Sequence, residues 1–266
     1  MALIETHLFS EVLGMEMEVN VVLPQERRPY TGDGKLKVLW LLHGGSGDAT
    51  LWCAMSRVER YAQEYGIAVI APGGLNSCFT DMAHGGRFFT YLTEELPTCL
   101  RHLFPRLSAE REDSFIAGLS NGGFGASKRV WRGPTCTRPS ARSRRGTNPT
   151  FLSRTTAPDA PATGLPYSAT ATLKNTDNDL KHLGREALKK GVPLPRVYHA
   201  CGSLDPWLDL NVMMRDFFTG LEGDPYRYQY HEAEGYGHTW EFWDMELRRF
   251  LDFLGLPKDG SKYIGL

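Results

Sequence analysis

The chain is poor in cysteine. Its five cysteines, at positions 53, 78, 99, 136 and 201, are odd in number and form no CxxC pair. That excludes a disulfide frame or a zinc ribbon as the organising device and predicts free thiols in a reducing compartment, the cytoplasm. No apolar run approaches the ~20 residues a membrane span needs. The opening stretch, MALIETHLFSEVLGM, lacks the basic start and apolar run of a secretory signal. Charge of one sign is lacking too. The formal net charge is -1, so no global field draws nucleic acid or an anionic membrane surface. No histidines stand at metal-ligand spacing, and no G-K-[ST] follows a glycine loop, so neither a metal nor a phosphate loop is expected.

What is present is ordinary for a soluble globular chain: 266 residues, 41% hydrophobic and 23% charged. "MEMEVNVVLP" alternates like a half-buried strand stopped by Pro24. "KLKVLWLLHGG" is an apolar run ending in glycines, which predicts a strand buried on both faces; "IAVIAPGG" predicts a second buried strand, and "EDSFIAGLS" and "PRVYHACG" predict two more strands. "YRYQYHEAEG" predicts one more strand. Between and after these, "SRVERYAQEYG", "NGGFGASKRV", "DLKHLGREALKKG", "NVMMRDFFTGLEG" and "TWEFWDMELRRFLDFL" carry helical spacing, and "RFFTYLTEELPTCLRHLF" does so with a kink or boundary expected at Pro97. Strands alternating with helices predict one α/β domain over residues 1–266, a mostly parallel sheet flanked by helices.

Three strand ends carry chemistry. Gly118-Leu119-Ser120-Asn121-Gly122 fits G-x-S-x-G between a strand and a helix. Small residues on both sides allow the tight turn that exposes a serine Oγ, and the helix N-terminus beneath offers N–H groups to an oxyanion. His43-Gly44-Gly45-Ser46-Gly47 follows a buried strand, where glycines let backbone N–H groups face a cleft. The N–H groups of Gly45 and Asn121 are the expected oxyanion donors, and His43 is read as structural. Asp205, after "PRVYHACG", and His238, after "YQYHEAEGYG", are the expected acid and base, with the order Ser, Asp, His adding weight. Asp209 and Asp216 rival Asp205. His231 lies within a strand pattern, and His84, on a glycine-flanked loop, is read as structural. Trp52, Phe79 and Trp207 sit near these loops and are candidates for an apolar substrate pocket, with core packing as the plain alternative.

Taken together, "LLHGGSGD", "TDMAHGGRFFTYLTEELP", "GLSNGGFGA", "ACGSLDPWLDLN" and "GYGHTWEFWDMELRRFL" resemble the tributyrin esterase and S-formylglutathione hydrolase group, the esterase D family, over roughly residues 5–132 and 173–255. The resemblance implies an α/β-hydrolase fold without a large lid, no cofactor, a small-molecule ester as substrate, and hydrolysis of short acyl esters through an acyl-enzyme. It places the nucleophile on Ser120, the acid on Asp205 and the base on His238. The loop H-G-G-S-G departs from the H-G-L-T-C of S-formylglutathione hydrolases, which points to the tributyrin, acetyl and cinnamoyl ester side of the group. An acyltransferase using the same acyl-enzyme is the rival activity. A homo-oligomer is compatible with all of this.

Residues 133–170 break the rhythm. They contain no Val, Ile, Met, Lys or Glu, and hold six of the 16 prolines, a composition that forms neither a buried strand nor a stable helix. Where the family carries a pattern like N-P-D-L-F-A-A-A-A-S-L-S-G, positions 134–146 read P-T-C-T-R-P-S-A-R-S-R-R-G. A codon string allowed for those residues, shifted by one base, reads P-D-L-Y-A-A-V-G-S-L-S-A-G. The segment therefore reads as translated out of frame, with a genuine disordered or lid insertion as the alternative. The expected consequence is a missing core strand beside the nucleophile strand and an impaired catalyst.

Overall fold

In the computed structural model, residues 1–25, 34–132, 150–152, 175–191 and 193–258 are described. Most of the expected strands form where the apolar runs lie: β2 (Met15–Leu23), β3 (Val38–Leu42), β4 (Ala68–Pro72), β5 (Ser114–Gly118), β7 (Val197–Gly202) and β8 (Gln229–Ala233). Two more strands join them, β1 (Ala2–Ser10) and β6 (Thr150–Leu152). Among the described residues the sheet has eight strands in the order β1-β2-β4-β3-β5-β6-β7-β8. The β1/β2 and β2/β4 pairings are antiparallel and the rest parallel.

The apolar runs are buried on both faces because each strand feeds two cores. On β3, Leu39 and Leu41 join one cluster, while Val38, Trp40 and Leu42 join the other. The first cluster lies under α2 (Val58–Tyr65) and α8 (Trp240–Leu254), through Tyr61, Phe242 and Phe250. The second lies under a helical run made of α3 (Phe88–Thr90), a π-helical turn (Tyr91–Glu95) and α4 (Leu96–Leu103). A short helix α1 (Leu51–Met55) follows β3. A third cluster joins α5 (Asn121–Arg132), α6 (Leu180–Lys189) and α7 (Leu208–Thr219) through Phe124, Trp131, Leu183 and Phe218.

The boundary expected at Pro97 is a change of helix type, from the π turn to α4. The Leu96 N–H bonds to Tyr91 O, closing the wide π turn one residue before the proline. Proline has no N–H to give and crowds the carbonyl four residues back, and the wider turn accommodates both. The same turn aims Glu95 at the β1–β2 connection, where its carboxylate accepts the N–H of Glu11 at 2.7 Å and the hydroxyl of Ser10.

The expectation of a missing core strand is corrected by β6. Thr150 to Leu152 pair in parallel with β5 on one side and β7 on the other. Sheet pairing is a backbone arrangement, and three residues, two of them β-favouring (Thr150 and Phe151), fill the place. Residues 133–149 and 153–174, on which the frame reading rests, lie outside the described residues.

Buried polar groups tie the layers together. Glu246 of α8 is fully buried and accepts the Tyr198 hydroxyl at 2.6 Å and His231 Nδ1 at 2.8 Å, so α8 is fastened to β7 and β8. His199 of β7 is also fully buried, with Nε2 at 2.9 Å from Asn211 Oδ1 and Nδ1 at 2.7 Å from Tyr228 Oη. Burial drives its pKa down from 6.5 to about 4. Between those values the unfolded chain binds a proton that the folded chain refuses, so stability rises with pH there and falls as pH drops below 6.5. From this residue alone the loss by pH 4 amounts to about 3 kcal/mol. Urea melts at pH 7, 5.5 and 4 are expected to show it, with the acid loss reduced in His199→Gln; an unchanged acid loss in that variant would contradict it.

Candidate active site

The site gathers at the carboxyl ends of β3, β5, β7 and β8. After β5 the chain turns sharply. Ser120 takes a left-handed backbone, φ 51°, and α5 starts at the next residue. The glycines around it are required by contact. A Cβ on Gly118 would stand 2.3 Å from Gly122 backbone atoms. A Cβ on Gly122 would stand 2.3 Å from Leu42 O and 2.5 Å from His43 O. The first turn of α5 is thus pressed against the backbone at the end of β3, which cannot yield as a side chain can. Gly122→Ala is expected to cost about 3 kcal/mol or more, read by urea denaturation. A loss below about 1 kcal/mol would show that the contact relaxes.

The loop after β3 is held from several sides. His43 is buried. Its Nε2 accepts the N–H of Gly74 at 2.9 Å, and its Nδ1 stands 2.6 Å from Gly44 O. An amide N–H can only donate, so Nε2 is the bare nitrogen, the proton sits on Nδ1, and the ring is neutral. Burial lowers its pKa in the same sense. His43 therefore fastens the loop after β3 to the loop after β4, as the structural reading expects. Asn76 does the same further along the loop, its Oδ1 accepting the Ser46 N–H at 2.7 Å. Gly45 lies beside the elbow: a Cβ there would be 3.0 Å from Asn121 Nδ2. The two residues expected to supply oxyanion donors are thus neighbours.

After β7, Asp205 is nearly buried and both its oxygens are engaged. Oδ1 accepts the Trp207 N–H at 2.9 Å, and Oδ2 stands 2.7 Å from His238 Nδ1. Asp209 is exposed, and Asp216 is exposed and paired with Arg215; neither is the histidine's partner. His231 is taken up by Glu246. His84 is exposed on its loop.

The aromatic expectations divide. Trp207 stands at the site, its ring 4.6 Å from that of His238. Trp52 is fully buried in the first core cluster, and its indole N–H donates to Leu42 O at 3.0 Å. It props the start of the glycine loop, because an indole N–H that finds a buried carbonyl stays with it. Phe79 is likewise core, packed edge-on against His43 at 5.1 Å. A feature missed at the level of sequence is Trp243, whose ring also packs on His238, at 4.8 Å. From Trp243 a series of edge-to-face rings runs through Trp240 to Trp52. Its signal was present as an aromatic three residues into α8, but helical spacing assigned it to the core. Among the described residues, no group of three or more His, Cys, Asp or Glu side chains could hold a metal, and no helix is long and apolar enough to cross a membrane.

The family profile Esterase, described as a putative esterase, matches residues 10–128. An acetyl esterase of Caldicellulosiruptor saccharolyticus is 25% identical over 97% of this chain and 100% of its own length. The S-formylglutathione hydrolase of Paracoccus denitrificans is 31% identical over 44% of this chain and 47% of its own. Among solved structures, the substrate-bound fluorophosphonate-binding serine hydrolase F of Staphylococcus aureus superposes with a TM-score of 0.78 at 26% identity, covering 95% of this chain and 98% of that one. With its mixed sheet, flanking helices and serine elbow, the chain has the α/β-hydrolase fold of these esterase structures, and its similarity runs to carboxylic ester hydrolases, with acetyl esterase and S-formylglutathione hydrolase relatives.

Proposed function

We propose that the chain is a serine esterase acting on short-chain acyl esters, with Ser120 as nucleophile, His238 as base and Asp205 as the acid that orients it. The observation that carries this reading is the 2.7 Å pair of Asp205 and His238, set at the same end of the sheet as the strained serine turn. As Ser120 Oγ attacks the ester carbonyl, its proton passes to His238 Nε2, while Asp205 holds the Nδ1 proton. The tetrahedral oxyanion is stabilised by the N–H groups of Gly45 and Asn121; one such donor contributes about 3 kcal/mol. His238 then protonates the departing alkoxide, leaving the acyl group on Ser120. Water attacks the acyl-enzyme, gives a proton to His238, and the acid leaves as Oγ recovers its hydrogen. No step calls on a cofactor. The glycine-rich H-G-G-S-G loop and the acetyl esterase relative both favour small carboxylic esters. We further place the protein in the cytoplasm as one domain; the free thiols Cys53, Cys78, Cys99 and Cys201 support that setting.

A fluorophosphonate probe tests the assignment. A stoichiometric adduct is expected on the peptide containing Ser120. No adduct, or an adduct on another serine, would overturn it.

A further inference from the structure

The loop that carries Gly45 is held one peptide at a time. The Gly44 carbonyl and the Gly45 N–H belong to one trans peptide and point opposite ways. The contact of His43 Nδ1 with Gly44 O, at 2.6 Å, therefore sets the direction of that N–H. The next peptide, Gly45–Ser46, is held at its own N–H, which donates to Asn76 Oδ1 at 2.7 Å. Between the two peptides stands Gly45, whose backbone rotates freely unless its neighbours stop it. Ser46 needs a hold as well. Its φ of 58° is left-handed, a region a serine keeps only where its surroundings impose it. Gly45 and Ser46 are both exposed, so core packing does not supply that constraint.

Asn76 belongs to a stiff turn after β4. Ser77 Oγ donates to Gly74 O at 2.5 Å and accepts the Phe79 N–H at 3.0 Å, and Thr80 Oγ1 donates to Ser77 O at 2.9 Å. Ser77 and Thr80 are buried. The Gly74 N–H is the group that His43 Nε2 accepts, so both holds on the glycine loop end on this one turn. Of the eight non-glycine residues with a left-handed backbone among the described residues, five lie in the glycine loop, this turn and the serine elbow: Ser46, Leu75, Cys78, Phe79 and Ser120. Strain of this kind collects where a geometry is enforced for function. Asn76 itself is exposed, and none of the bonds that shape the turn passes through its side chain. Its amide oxygen is turned to the neighbouring loop, 3.8 Å from where a Cβ on Gly45 would stand, with Asn121 Nδ2 3.0 Å from the same point.

We infer that Asn76 is a positioning residue for the oxyanion site: its Oδ1 locks the Gly45–Ser46 peptide and so keeps the Gly45 N–H aimed at the place where the ester oxygen turns negative. The inference rests on the esterase reading proposed for this chain, and it adds a residue that touches no reacting atom. A donor contributes most when it already points at the developing charge, because one that must reorient first gives back part of what it supplies. With the Asn76 acceptor gone, Gly45 and Ser46 regain rotation. Binding of the neutral ester hardly senses this, since its carbonyl oxygen carries full negative charge only in the tetrahedral state. The loss therefore falls on kcat rather than on KM.

Three substitutions at one position test it. Asn76→Leu keeps the size and branching of the side chain without the acceptor, and Asn76→Ala removes the acceptor with no added bulk. Both should lower kcat for p-nitrophenyl acetate about tenfold or more, with KM within about twofold and a thermal melt like that of the wild type. A trifluoromethyl ketone, which forms an anionic hemiketal on the serine, should bind more weakly by the same factor. Asn76→Asp restores an acceptor for the Ser46 N–H. It should recover most of the loss in about 1 M salt, where the Debye length is about 3 Å and the added charge is screened. A kcat loss under about threefold in the leucine and alanine variants, a loss carried by KM, or an aspartate variant no better than leucine would each overturn the inference. Ser120→Ala, measured alongside, separates this from the proposed function. Turnover in that variant refutes the esterase mechanism, whereas an inactive Ser120→Ala beside fully active Asn76 variants refutes the role of Asn76 alone.

Discussion

Ser120→Ala is expected to lower kcat for p-nitrophenyl butyrate by roughly 10⁴–10⁶-fold and to abolish fluorophosphonate labelling, with no change in the unfolding midpoint. The reasons lie in the turn itself. Ser120 has a φ of 51° and is almost buried, between glycines that admit no side chain. Alanine keeps the same Cβ and bears the same left-handed strain, so the fold barely registers the loss of one oxygen. On the proposed mechanism, the chemistry loses the atom that forms the acyl bond. What activity remains then reports the oxyanion donors and substrate binding alone. Turnover retained within tenfold of wild type would remove Ser120 from the mechanism.

Asp205→Asn is expected to lower kcat by about 10⁴-fold, again with a native melt. The size follows from the hydrogen bonds rather than from charge alone. One oxygen of Asp205 accepts the Trp207 N–H at 2.9 Å, and the other faces His238 Nδ1 at 2.7 Å. In the asparagine variant the amide oxygen must stay with the Trp207 N–H, since two donors cannot share that bond. The amide NH₂ then faces Nδ1 and demands an acceptor there. The imidazole proton moves to Nε2, the nitrogen that on the proposed mechanism takes the serine proton, and the base is occupied before the reaction begins. Steady-state kinetics with p-nitrophenyl acetate measures this; a loss smaller than about tenfold would show that His238 keeps its tautomer without the carboxylate.

Much of this arrangement was legible as local pattern. Val38–Leu42, Ala68–Pro72, Ser114–Gly118 and Val197–Gly202 announce themselves as apolar runs because each is buried on both faces. The residues at their ends, Ser120 and Asp205, could be picked out because a strand that stops at glycine delivers the next side chains to one edge of the sheet. Strand β1 was missed because Leu3 and Phe9 face outward and blur the two-residue alternation. Trp52 stayed open between pocket and core because a tryptophan after a glycine loop fits either, until its indole N–H is seen to reach the Leu42 carbonyl. Asn76 carried no signal, since holding the Ser46 N–H depends on a partner 30 residues away. Strand β6 was discounted on composition, which does not register three residues pairing within a sheet.

Strand β6 has a further significance, as a ruler. On the proposed assignment the nucleophile leaves β5 and the acid leaves β7, and β6 stands between them. Two strand spacings, roughly 9–10 Å, separate the two exits. That interval leaves room for an imidazole and a serine side chain between carboxylate and nucleophile; one strand spacing would not. On that assignment the distance across the catalytic line is metered by a strand of three described residues, Thr150–Leu152. Mild denaturant that frees this strand first would switch off ester turnover while the two large cores on either side of β3 remain intact.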